Sequence, residues 1–290
     1  MAHCAPRWLS QLILSVLTCL SGAVAAANPV DSAEGARAAT PKSLRLAAAV
    51  TLAPMANDLV AELRQRGGRA VPPNIVGSET ALEALLDRSA DIALISRPLS
   101  AKEAQRLQGK VIGHDSVLLV VHERNPLEQI DMATVRAIFS REVSDWQQVG
   151  AGNSGAIVPV TRSLAHGTRS FFDAAFGIGR VVPAGIVELS SNLAAVLYVA
   201  ADPQAIGYVS AGAYDLARLR GLRIKALRME GLTPGAQFCV GARYPLCRPL
   251  LLVQRKDMAA TRETVLLDTL LSGKGGAALL ESHRFAPAAP

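Results

Sequence analysis

From Ser43 onward the chain alternates short apolar runs with longer segments in which apolar residues recur every three or four positions. Leu44 to Val50 reads as a buried strand, Met55 to Arg66 as an amphipathic helix, Asn74 to Val76 as a short strand and Thr80 to Arg88 as a second helix. Asp91 to Ser96 follows as a strand and Ala101 to Gln108 as a helix. The run SVLLVVH, Ser116 to His122, reads as a buried strand, followed by the Asn125-Pro126 turn and a helix over Met132 to Phe139. A second series then begins, with strands at Ile157 to Thr161, Ala205 to Val209 and Leu250 to Gln254. Its helices run from Thr168 to Phe176, Asn192 to Ala201 and Arg262 to Leu271. Strands that are apolar throughout and separated by helices predict an α/β fold with a mainly parallel sheet covered on both faces.

The N-terminus follows a different pattern. Arg7 precedes an apolar run from Trp8 to Leu20, and small residues at Ala23-Val24-Ala25 and Ala25-Ala26-Ala27 supply two Ala-x-Ala sites. This is the layout of a cleavable secretory signal, shorter than the roughly twenty apolar residues of a membrane span. Cys19 follows Thr18 rather than the small Gly or Ala that normally precedes a lipid-acceptor cysteine. The expected organisation is a signal peptide over residues 1–27, a flexible leader rich in Ala and small polar residues over 28–42, and a folded part over 43–290.

Export changes how the cysteines are read. Removing the signal takes Cys4 and Cys19 and leaves Cys239 and Cys247, an even pair that predicts one disulfide in an oxidising compartment. A metal site or redox pair fits less well, because eight residues separate the two and no histidine is near. Net charge is +6 and aromatics are 4%, which favours anionic ligands but supplies no stacking platform for nucleic acid. No second apolar stretch reaches membrane-spanning length, so a transport role requires separate membrane subunits. Five dispersed histidines form no H-E-x-x-H metal spacing, and no G-x-S-x-G nucleophile elbow is present. No enzyme activity, metal or cofactor is expected.

Three segments in order resemble the phosphate-binding proteins of ABC transporters. AAAVTLAPMANDL, residues 47–59, is similar to that family's first strand-to-helix turn; GSETALEALLDRSADIALISRPLS, residues 77–100, resembles its Gly-Ser turn, helix and Ser-Arg strand end. AIFSREVSDWQQVG, residues 137–150, with TRSLAHGTRSFF, residues 161–172, resembles its Arg-x-Asp-Gly-Ser-Gly-Thr-Arg region. AIGYVSAGAYD (205–215) and YPLCRPLLL (244–252) also resemble family segments.

The resemblance implies a two-lobed periplasmic-binding-protein fold of type II, with two crossover strands and a ligand cleft between the lobes. The crossings are expected near Ser116 to His122 and Arg243 to Leu252, giving one lobe of about 43–115 plus 244–290 and another of about 116–243. It further implies a monomer that captures inorganic phosphate or a related oxyanion in the periplasm for ABC permease subunits. The ligand-binding residues carried over are Thr51, Leu52, Ser78, Ser96, Arg97, Arg162, His166, Gly167 and Thr168.

Physical chemistry supports an oxyanion at such a place. Thr51, Ser78 and Thr168 precede or open helices, where unpartnered backbone N–H groups and the positive end of the dipole favour an anion. Each is equally explicable as a stabilising N-cap. Arg162 offers a planar fork to two oxygens, and Gly167 lets backbone approach closely. The chain departs from the family pattern at Leu164, Ala165 and His166, where relatives carry Asp, Gly and Ser. Arg97 stands where some relatives place an acidic acceptor; it can only donate, so poorer discrimination of phosphate from sulfate is expected. These departures leave a second reading open, a sensor or interaction module on the same fold that binds no ligand tightly. An exported hydrolase would require a nucleophile and base that the sequence does not present.

Overall fold

The computed structural model describes residues 43–152, 155–235, 239 and 244–288. The expected signal and leader, residues 1–42, lie outside these, as does Arg243. In chain order the first elements are β1 (Leu46–Ala49), α1 (Ala53–Gln65), β2 (Asn74–Val76), α2 (Ser78–Leu86), β3 (Ile92–Ile95), β4 (Leu107–His122), β5 (Gln129–Ile130) and α3 (Met132–Phe139). There follow β6 (Val158–Arg162), α4 (Gly167–Phe176), β7 (Val187–Leu189), α5 (Asn192–Ala201), β8 (Ala205–Ser210), α6 (Ala211–Leu219), β9 (Ile224–Ala226) and β10 (Arg228–Met229). The last are β11 (Cys247–Arg255), α7 (Arg262–Leu270), α8 (Gly273–Ser282) and β12 (Ala286–Pro287).

Local chemistry explains the first βα unit. All four residues of β1 are buried, and Pro54 opens α1, where its missing N–H and fixed φ do no harm. Met55, Ala56, Leu59, Val60 and Leu63 form the buried stripe of α1, and the chain leaves the helix through Gly67 at φ +76°. Leu59 is fully buried, so truncating it to Ala costs about 2–5 kcal/mol.

The main sheet has the order β2-β1-β3-β11-β4-β8-β6-β7. Its flanks are parallel, β1 with β2 and β3 on one side and β6 with β7 and β8 on the other. The centre is antiparallel, because β4 pairs β11 along its first half and β8 along its second. The buried side chains divide accordingly. Residues 44–112 and 250–285 fill two cores, and residues 117–246 fill two others. The protein is therefore two-lobed and α/β. β4 passes from one lobe to the other between Ile112 and Val117, and the chain returns between Leu246 and Leu250.

One expectation is corrected. Instead of a helix over Ala101 to Gln108 there is one 3-10 turn, Glu103–Gln105, because β4 already starts at Leu107 and pairs with Arg255. Helices α6 and α8 lie outside the predicted helices, and the GKGG start of α8 is poor in helix propensity. Gly276 is needed there: a Cβ would lie 2.3 Å from the Leu271 carbonyl oxygen.

Cys239 and Cys247 form a disulfide with Cα atoms 5.3 Å apart, next to the return crossing. Closing this short loop stabilises the fold by about 2–3 kcal/mol. Thiol counting on unreduced, denatured mature protein is expected to find no free thiol; two reactive thiols would contradict the linkage.

Candidate functional site

Three of the expected hydroxyls sit at helix starts without serving as caps. Thr51 lies in the 3-10 turn Val50–Leu52, Ser78 opens α2 and Thr168 is the second residue of α4, and none of these elements has a side-chain cap bond. Elsewhere caps are made by side chains: Asp131, Ser191, Ser210 and Thr261 accept backbone N–H groups at α3, α5, α6 and α7. The N-cap explanation therefore does not account for Thr51, Ser78 and Thr168.

The N-termini of α2 and α4, one from each lobe, face each other at close range. A Cβ on Gly167 would lie 2.3 Å from Ser78 Oγ and 3.3 Å from Ser96 Oγ, and one on Gly77 would lie 1.8 Å from the Ala165 carbonyl oxygen. Ser78 Oγ accepts the Ser96 N–H at 3.3 Å, while Ser96 Oγ is buried with no hydrogen-bond partner. Beside them Ser170 donates to the Glu79 carboxylate across the same gap. Two positive helix ends thus converge on a small set of donors.

Arg162 ends β6, and its backbone is fixed from two directions. Its N–H donates to the Tyr208 hydroxyl at 3.3 Å, and its carbonyl accepts from Arg169, itself paired with Asp173 at 2.5 Å. Tyr208 stacks on Phe172 with centroids 3.8 Å apart, and burial pushes its phenol up to about 12, so it stays neutral. The Arg162 guanidinium donates to Asn192 Oδ1 and to the Ser190 carbonyl at 3.4 Å, while its Nε is buried without a partner. No carboxylate pairs with it among the described residues. Burial, and then the nearby Arg248 charge, push its pKa down to about 10, which still leaves it cationic at neutral pH. Leu164, at the place of the family's acidic residue, is partly exposed, and the neutral Asn192 amide orients Arg162 instead.

Other expected residues stand differently. The Leu52 side chain belongs to a hydrophobic core, so only its backbone can serve a ligand. Arg97 departs from expectation, because its guanidinium is held by Glu79 at 3.1 Å, Glu103 at 2.7 Å and the Pro98 carbonyl at 2.8 Å. Its charge is neutralised by two carboxylates, so Arg97 is not a free cation that would draw phosphate and sulfate alike. His166 precedes α4; burial, and secondarily the Arg162 charge, lower its pKa, with the Ser190 carbonyl opposing them in part. It is therefore a neutral imidazole near pH 7.

Sequence reasoning missed two buried residues beneath the cluster. Arg248 on β11 and Asp115 on β4 are register partners and both are fully buried. Arg248 donates to Asp115 Oδ2 from Nε at 3.0 Å and from Nη2 at 2.7 Å. It also donates to Thr168 Oγ1 at 2.7 Å and to Thr51 Oγ1 at 3.4 Å. The available signal was a lone charge at the start of each of two apolar runs, RPLLLV and DSVLLVV.

Arg248 joins Thr51 of one lobe to Thr168 of the other, and Gly167 meets Ser78 and Ser96 across the gap; hydroxyls, helix N-termini and a buried cation are the kinds of group that suit a tetrahedral oxyanion. The profile of the PBP superfamily domain matches residues 33–271, and the chain belongs to this family. The phosphate-binding protein PstS of Staphylococcus aureus (strain bovine RF122 / ET3-1) is 25% identical over 213 residues, covering 68% of this chain and 64% of that protein. The chain spans from a quarter to 64% of the length of such curated relatives. Among solved structures, a phosphate-bound substrate-binding protein of Clostridium perfringens superposes with a TM-score of 0.76 at 20% identity, covering 86% of this chain and all (100%) of that one. An ABC-type phosphate transport receptor of Vibrio cholerae gives 0.74 at 25% identity, over 85% of this chain and 100% of that one.

Two predictions follow from the geometry. Gly167→Ala places a methyl against Ser78 across the lobes but strains nothing within α4, so phosphate affinity is expected to fall by at least ~10-fold while unliganded stability holds. Calorimetry beside thermal unfolding checks it, and an unchanged dissociation constant would contradict it. The depressed pKa of His166 has a definite sign. Below the ordinary value of 6.5 the unfolded chain binds the proton more readily, so this histidine's contribution to stability declines as pH falls. Urea unfolding without ligand at about pH 7 and about pH 5.5 is expected to show a larger acid loss in wild type than in His166→Gln; equal losses would refute it.

Proposed function

We propose that the chain is an exported, monomeric solute-binding protein that captures phosphate or a related tetrahedral oxyanion between its lobes and delivers it to an ABC permease. The observation that carries this reading is Arg162, a buried cation with no carboxylate partner among the described residues and an unpartnered Nε. Such a charge is costly unless an anion meets it. Thr51, Ser78, Ser96, Gly167 and Thr168 add hydroxyl and helix N-terminal donors where the lobes meet, which supports the same ligand class. Names and bound ligands of relatives add to it, because the S. aureus protein is a phosphate-binding protein and the C. perfringens structure holds phosphate.

The role is capture rather than catalysis. The residues assigned to the ligand, Thr51, Ser78, Ser96, Arg162, Gly167 and Thr168, are hydroxyls, helix N-terminal donors and a cation, a set that binds an anion. Delivery by a solute-binding protein requires a permease in the membrane; no helix among the described residues is long and apolar enough to cross a membrane. Arg7, the apolar run that follows it and the Ala-x-Ala sites support periplasmic export by a cleaved signal.

Calorimetry of the mature protein against phosphate, sulfate, arsenate and molybdate at fixed ionic strength tests the reading. Saturable one-to-one binding of phosphate is expected, weakened roughly ten- to hundred-fold in Arg162→Ala. No heat with any of the four anions would overturn it.

A further inference from the structure

We propose that Arg248 is a positioning residue that sets the proton direction of the Thr51 and Thr168 hydroxyls and so makes both obligate donors to the bound anion. The inference rests on the oxyanion reading above. A guanidinium has five N–H groups and no acceptor, so in every hydrogen bond it makes the partner accepts. Thr168 Oγ1 lies 2.7 Å from Arg248 Nη1, and Thr51 Oγ1 lies 3.4 Å from Nη2. With one lone pair of each oxygen engaged by Arg248, the hydroxyl's own hydrogen turns to another acceptor. A donor polarised in this way is also a stronger donor, because hydrogen bonds in series reinforce one another.

The placement of Arg248 suits this work. It lies where β11 crosses back between the lobes, and its two hydroxyl partners come one from each lobe. Asp115, its register partner on β4, holds Nε and Nη2 through a single carboxylate oxygen, which fixes the plane of the guanidinium. The Cys239–Cys247 disulfide ends on the residue before Arg248, and Cys239 Sγ lies 3.7 Å from the Asp115 carbonyl oxygen. Both ends of the pair are therefore braced. The chemical consequence is that the ligand oxygens meeting Thr51 and Thr168 are deprotonated acceptors. A protonated phosphate oxygen has to turn elsewhere.

Arg248→Lys keeps the charge but replaces a two-ended fork with one ammonium, which cannot hold both hydroxyls. Calorimetry with inorganic phosphate on the mature protein, alongside unliganded unfolding, is expected to show affinity reduced roughly 10- to 100-fold in a folded variant. Because the effect passes through Thr168, the same substitution made on a Thr168→Val background is expected to cost much less than it does alone. Wild-type affinity in folded Arg248→Lys, or strictly additive losses, would overturn the inference and leave the proposed function standing. Absence of phosphate binding in wild type would overturn both. If Arg248→Lys does not fold, a phosphate-bound crystal structure of wild type decides. Each threonine hydroxyl within hydrogen-bond reach of both Arg248 and a phosphate oxygen is the expected result. Arg248 placed directly on phosphate, or threonine hydroxyls turned away from it, would refute the inference.

Discussion

Burying a guanidinium costs several kcal/mol unless an anion or a complete set of acceptors meets it. Arg162 is 2% exposed and its donors reach only an amide oxygen and a distant carbonyl, with Nε left over. The rest of the cleft is arranged around that unsettled charge. Tyr208 and Arg169 hold the backbone of Arg162, and Asn192, which orients the head group, is tied in turn to Ser210 at 3.1 Å. Other arginines of the molecule are treated differently. Arg97, Arg169 and Arg248 each meet a carboxylate, so the isolation of Arg162 is a local choice rather than a general shortage of acids.

The lobes meet where the donors lie. Gly77 and Gly167 let the N-termini of α2 and α4 approach until Ser78, Ser96 and Thr168 are neighbours, and Ser170 reaches Glu79 across the gap. Any side chain at either glycine would hold the lobes apart. The β4 and β11 strands, which both cross between lobes, carry Asp115 and Arg248 at the crossing, so the buried pair lies beneath the donors from both sides.

Much of this was legible in the sequence, for identifiable reasons. The strands β1, β3 and β8 are buried along their whole length and read as uninterrupted apolar runs, and α3 and α5 match their periodicity at both ends. Thr51, Ser78, Ser96, Gly167 and Thr168 could be grouped because each follows a strand or opens a helix in a recurring order. What could not be read was pairing. Arg97 and Arg162 look alike in sequence, each at the end of an apolar strand, yet one finds Glu79 and Glu103 while the other finds no acid among the described residues. Arg248 and Asp115 stand 133 positions apart, and only the antiparallel register makes them neighbours. The helix expected before β4 failed for the same reason, since ladder pairing with β11 outweighed local propensity.

The central claim is that Arg162 is held as a cation awaiting an oxyanion, and Arg162→Met tests it most directly. Replacing an uncompensated buried charge with an apolar side chain of similar length is expected to leave the unliganded protein at least as stable as wild type. Phosphate is expected to raise the unfolding temperature of wild type and to have little effect on the variant. Thermal unfolding of both proteins, with and without phosphate at constant ionic strength, reads both halves at once. A variant markedly less stable without phosphate, yet stabilised by phosphate as much as wild type, would show that Arg162 is a structural cation and that the anion is held elsewhere.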